Sequence, residues 1–112
     1  MITTADIHDI FSIYQKHGWT LRHILLTAAL QSNLKENIRT VLENVPATES
    51  DIDAAWFSRK SANGRTAWEI RHLGSSPYAL LIGMEENEVD EAALRETENN
   101  LRSAINRNPV SH

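Results

Sequence analysis

Apolar residues recur at helical spacing near the start of the chain. Ile7, Ile10, Phe11 and Tyr14 stand at i, i+3, i+4 and i+7, one face of an amphipathic helix. Thr3 takes the N-cap, Asp6 completes a capping-box pair, and Ile2 and Ile7 hold the staple positions. His17-Gly18 ends the helix, because glycine accepts the left-handed conformation at that point. From Trp19 to Leu26 the period changes to two. Leu21, His23 and Leu25 alternate with Arg22, Ile24 and Leu26, which predicts a strand. A helical stripe returns at Leu30, Leu34, Ile38, Val41 and Leu42. A second helix is therefore expected to begin between Thr27 and Ser32 and to end near Asn44, ahead of Pro46. Residues 50–55 have room for one capped helical turn.

The strongest local signal follows. Asn63-Gly64 is the preferred dipeptide of a two-residue hairpin loop. It lies between Trp56-Phe57-Ser58-Arg59-Lys60 and a run from Thr66 to Leu73. A two-residue loop sets Phe57 opposite Ile70, Arg59 opposite Trp68, Ser58 opposite Glu69 and Trp56 opposite Arg71. One face then carries Phe57, Trp68 and Ile70, and the other Trp56, Ser58, Glu69 and Arg71. After a turn at Gly74-Ser75-Ser76-Pro77, a third strand runs from Tyr78 to Met84. Tyr78, Leu80 and Ile82 point one way and Ala79, Leu81 and Gly83 the other. Both rows are apolar, so this strand is expected at the centre of the sheet or under a partner chain. A last helix spans about residues 88–106, with a thin stripe of Leu94, Leu101 and Ile105.

The expected fold is α+β. Helix, strand and helix are followed by a three-stranded antiparallel meander and a C-terminal helix, around one mainly antiparallel four-stranded sheet. Residues 1–107 form one domain and 108–112 a frayed tail. A length of 112 residues suits a single core.

Composition narrows the chemistry. The chain has no cysteine, which excludes disulfide scaffolds, thiolate metal sites and thiol nucleophiles, and fits a cytoplasmic location. Met1 to Asp6 lacks a basic stretch followed by an apolar run, so no secretory leader is expected. No apolar block approaches the ~20 residues that cross a bilayer, so no membrane partner is expected. The net charge is −4, and the deficit sits at the end: residues 83–112 carry three basic and seven acidic side chains. A net acidic chain without a basic cluster disfavours nucleic acid, which is held by neutralising phosphates.

The candidate chemistry is sparse. His23 and His72 would converge if the first strand lies beside the meander, but five histidines without ligand spacing predict no metal site. Asp53, ahead of the hairpin, and Glu69-Ile70-Arg71, on its second strand, have the outline of the acid and acid-x-lysine triplet of restriction-endonuclease-like nucleases. Arg71 stands where the lysine belongs, and a guanidinium does not give up its proton to act as a base. Asp53, Glu69, Arg71 and His72 are thus the candidates for a hydrolytic alternative. Trp56 and Trp68 among Arg59, Arg65 and Arg71 would make a nucleic-acid platform, the second alternative. Tryptophan and arginine are also enriched at protein interfaces. The leading expectation is a protein–protein interaction or structural module without a cofactor, self-associating as a homodimer or held by another protein. Trp56, Arg71, Tyr78, Leu80 and Ile82 are its binding candidates.

Overall fold

The computed structural model describes residues 3–34, 45–61, 64–74, 78–85 and 89–107. The elements run α1 (Thr4–Lys16), β1 (Thr20–Leu26), α2 (Ala28–Leu34), β2 (Ala47–Glu49), β3 (Ala54–Lys60), β4 (Arg65–His72), β5 (Ala79–Glu85) and α3 (Glu91–Arg107). The class is α+β, with one sheet in the order β2-β1-β3-β4-β5. Five strands replace the expected four. The addition is β2, three residues paired parallel to β1, too short to show a hydrophobic period. The other pairings are antiparallel. The later part of the expected second helix, residues 35–44, and the tail at 108–112 lie outside the described residues, as does the staple residue Ile2.

Helices cover the sheet on both faces. Thr3 and Asp6 form the reciprocal capping box of α1. The inward stripe of that helix puts Ile7 among Ile24, Leu26, Ala55 and Phe57. Leu30 of α2 joins the same cluster. The Asp53 carboxylate accepts the Thr27 N–H at 2.7 Å, and the Thr27 hydroxyl accepts the N–H of Leu30, which caps the start of α2. On the opposite face, Leu101 of α3 is fully buried against Leu25, Trp56, Trp68, Ile70 and Met84. Leu94 and Ile105 pack against the edge of that cluster. Asp90 caps α3 by accepting the Ala93 N–H at 3.1 Å.

The central strand is β3, not the third strand of the meander. Ala54 to Ser58 are all buried, because α1 and α2 lie over one face of β3 and α3 over the other. β5, expected at the centre or under a partner chain, is an edge strand whose exposure alternates, so the first of these alternatives fails. Its Leu80 and Ile82 pack under α3, whereas Leu81 on the opposite face is 62 % exposed. The helical turn allowed for residues 50–55 is not formed, and β3 already begins at Ala54.

Two details of register decide what each face carries. β1 holds a bulge: its pairing with β3 shifts between Leu21 and His23, leaving Arg22 extra. Leu21, Ile24 and Leu26 therefore pack on the α1 side, where strict alternation grouped Leu21 with His23 and Leu25. The hairpin also departs from expectation, by one residue. Trp56 lies opposite Ile70, Phe57 opposite Glu69 and Ser58 opposite Trp68. The Ser61 N–H donates to the Arg65 carbonyl at 2.9 Å, so the loop holds three residues rather than two. Gly64, the last of them, has φ +70°, the left-handed position that ends a three-residue hairpin loop. Asn63 lies outside the described residues. A one-residue shift exchanges the faces. Trp56, Ser58, Trp68 and Ile70 face α3, and Phe57, Glu69 and Arg71 face the α1 side.

Gly64→Val forces a β-branched residue into that left-handed position and is expected to cost roughly 1–3 kcal/mol. Thermal melts of the two proteins check this. An unchanged melting temperature would contradict the loop geometry.

Candidate functional site

The α1 face of the sheet is only half covered. Tyr14, near the end of α1, stacks on Phe57 with ring centroids 4.0 Å apart and planes 14° from parallel. Its phenol O–H donates to the Glu69 carboxylate on β4. Arg71, two residues along the same row, donates from its guanidinium to the His72 carbonyl. Beyond Glu69 and Arg71 the face carries Ala67, Ala79, Leu81 and Gly83, and the Arg65–Glu85 ion pair closes its far end. Among the described residues no strand pairs with the outer edge of β5. An exposed leucine, small neighbours and an open backbone edge thus meet at one corner of the sheet.

The α3 face is closed at its centre and grooved at its side. Trp56 is 2 % exposed, and its indole N–H donates to Glu98 of α3 at 2.9 Å, satisfying the polar atom of a buried ring. Trp68 meets it edge-on, with centroids 6.2 Å apart and planes at 73°. The β1 bulge turns Arg22 toward this face, where its guanidinium stands 5.5 Å from the Trp68 ring centre. Two open clefts of about 510 and 560 Å³ share Arg22, Trp68 and Val89. Arg22 and Arg95 line the second cleft together with Glu91 and Glu98, so the two signs alternate there, whereas the first is lined by Arg22, Arg59 and Lys60 against Glu85.

The acid–base candidates are separated and held by structural contacts. Asp53 accepts from the Thr27 N–H and hydroxyl, and its own carbonyl accepts the Leu73 N–H. That pairing places Asp53 four residues along the sheet from Glu69, a separation of about 13 Å. Glu69 is taken by Tyr14. His72 lies opposite Ala54 on the α3 face, away from Asp53, Glu69 and Arg71. His23 lies opposite Trp56, and its ring pairs with the Thr48 hydroxyl at 2.9 Å, two strands from His72. Among the described residues no three His, Asp or Glu side chains are grouped to hold a metal ion.

The binding candidates divide between the faces. Trp56, Tyr78, Leu80 and Ile82 belong to the cluster beneath α3, and Arg71 lies on the opposite face. The aromatic platform is likewise dispersed. Both tryptophans are buried, Arg59 stacks over Trp19 at 4.6 Å, and Arg65 pairs with Glu85 at 3.3 Å. Sequence reasoning missed Leu81 as an exposed site, the Tyr14–Glu69 bond and the Arg22–Trp68 contact. The signals present were the second apolar row of β5 for Leu81 and, for the last, an arginine within an apolar strand. No family model matches this chain, and no curated protein or solved structure matches it either.

The Tyr14 phenol is held well above its ordinary value of 10.0, first by burial and then by its hydrogen bond to Glu69 and the charge of that carboxylate; the charge of Arg71 opposes the shift. The folded chain therefore keeps this proton where the unfolded chain loses it. The resulting stability is complete below pH 10.0 and is lost as the pH rises from there toward the folded value. Tyr14→Phe is expected to flatten the fall in stability above that pH and to remove the late component of the ultraviolet phenolate titration. A late component that persists in the variant would contradict the assignment.

Proposed function

We propose that this chain is a protein-binding module whose working surface is the edge of β5 with the open sheet face beside it. The observation that carries the reading is Leu81: a large apolar side chain, 62 % exposed, in the middle of an edge strand. Strand addition draws its affinity from main-chain hydrogen bonds and its specificity from alternate side chains. β5 offers both. The hydrolytic and nucleic-acid alternatives gain no support, since their candidate residues are dispersed as described above. No helix among the described residues is long and apolar enough to cross a membrane. The cysteine-free composition fits work in a reducing compartment such as the cytoplasm.

A photo-crosslinking amino acid placed at Leu81 in cells tests the reading, with the exposed Ser12 of α1 as control position. The expected outcome is a discrete protein adduct from position 81 and none from position 12. Equal adducts from both positions, or none from position 81, would refute it.

A further inference from the structure

We propose that β5 pairs antiparallel with β5 of a second copy of this chain, about a two-fold axis at Ile82. The inference rests on the strand-addition reading and names its occupant. The His72 N–H donates to the Tyr78 carbonyl, which marks Tyr78, Leu80, Ile82 and Met84 as the positions bonded inward to β4. The N–H and C=O groups of Ala79, Leu81, Gly83 and Glu85 then point outward. Edge strands of monomers are normally blunted by charge, proline, bulges or shortness. β5 carries only one of these devices, the charge of Glu85 at its end: Ala79 to Met84 are uncharged, and seven consecutive pairs with β4 run without a shift. The opposite edge, β2, is only three residues long and follows Pro46.

The strand is complementary to itself when reversed. With the axis at Ile82, Leu81 falls opposite Gly83 of the second copy, an apolar side chain beside a position that has none. The Arg65 guanidinium bounds that gap, 3.3 Å from where a Cβ on Gly83 would stand. Ala79 falls opposite Glu85 of the second copy, in the same row and on the same face as Arg71. Arg71 is then two strands from that carboxylate, about 10 Å between backbones. Only the methyl of Ala79 lies between, so the Arg71 guanidinium, which donates from one nitrogen to the His72 carbonyl, can reach with the other to the Glu85 carboxylate and share it with the Arg65 of that copy. The two-fold repeats each contact, which is the requirement for an isologous interface.

The absence of cysteine makes the register directly readable. Ile82 is the position that meets itself across the axis, in a pair whose Cα atoms lie about 4.5 Å apart, close enough for a disulfide. Ile82→Cys is expected to oxidise to a covalent dimer, while Leu80→Cys and Ala79→Cys, which face Met84 and Glu85 of the second copy, stay largely uncoupled. Sedimentation of the unmodified chain at tens of micromolar is expected to show a dimer. Leu81→Lys, at an exposed position that leaves the fold intact by circular dichroism, should weaken it by roughly tenfold or more. Equal coupling at all three cysteine positions would overturn the register, and a monomer in sedimentation would overturn self-pairing. A monomer whose Leu81 crosslinks a different protein in cells would refute the second copy as occupant and leave strand addition standing.

Discussion

The hydrogen bond from the Ser61 N–H to the Arg65 carbonyl closes the β3–β4 loop around three residues and sets which side chains of these two strands share a face. A loop one residue shorter would send Trp56 toward α1 and Phe57 toward α3. Phe57 and Trp56 are adjacent in sequence and almost fully buried on opposite faces. Each contributes on the order of 2–3 kcal/mol by burial, so an exchanged register would forfeit the packing of both. Glu98 would also lose the indole it accepts from, and Tyr14 the ring it stacks on.

The β1 bulge is the second constraint. β1 lies between β2 and β3 and must feed both clusters. The extra residue lets Leu21 and Ile24 share a face although they are three positions apart, and it turns Arg22 over Trp68. Asp53 joins three elements at the far end, bonding Thr27 before α2 through its carboxylate and Leu73 after β4 through its carbonyl. Arg102 of α3 reaches Asp51 at 2.8 Å and ties the last helix to the same loop. That pair is exposed and holds the Asp51 carboxyl below its ordinary range, chiefly through the Arg102 hydrogen bond.

Much of the fold was legible in the sequence because its signals are local. The Thr3–Asp6 box, the stripe from Ile7 to Tyr14 and the left-handed Gly18 give α1 its limits. The existence of β1, the hairpin and the α+β class could be read in the same way, although the bulge at Arg22 breaks the alternation of β1. The misread features depend on neighbours. Asn63-Gly64 marks the hairpin but does not count the residues of its loop. Two apolar rows on β5 resemble a central strand, yet one row lies under α3 and the other is open. The candidate site was less legible still. Glu69 and Arg71 were singled out for acid–base chemistry, and the structure gives them a tyrosine and a backbone carbonyl as partners. Leu81 was read only as part of a second apolar row to be covered, since exposure at a sheet edge is decided by strand order and not by residue type.

The path from loop to function is therefore short. The three-residue loop fixes the faces, the faces place α3 on one side of β5 only, and the other side, with an edge that no described strand pairs, is the surface on which the proposed strand addition would take place. Cross-strand Hα–Hα contacts measured by nuclear Overhauser spectroscopy test this most directly. The bonds from Ser61 to Arg65 and from Leu73 to Asp53 make Trp56–Ile70 and Ser58–Trp68 non-hydrogen-bonded pairs, whose Cα atoms lie about 4.5 Å apart. Strong Hα–Hα contacts between Trp56 and Ile70, and between Ser58 and Trp68, are the expected result. Contacts between Phe57 and Ile70, or between Trp56 and Arg71, would contradict the register and everything built on it.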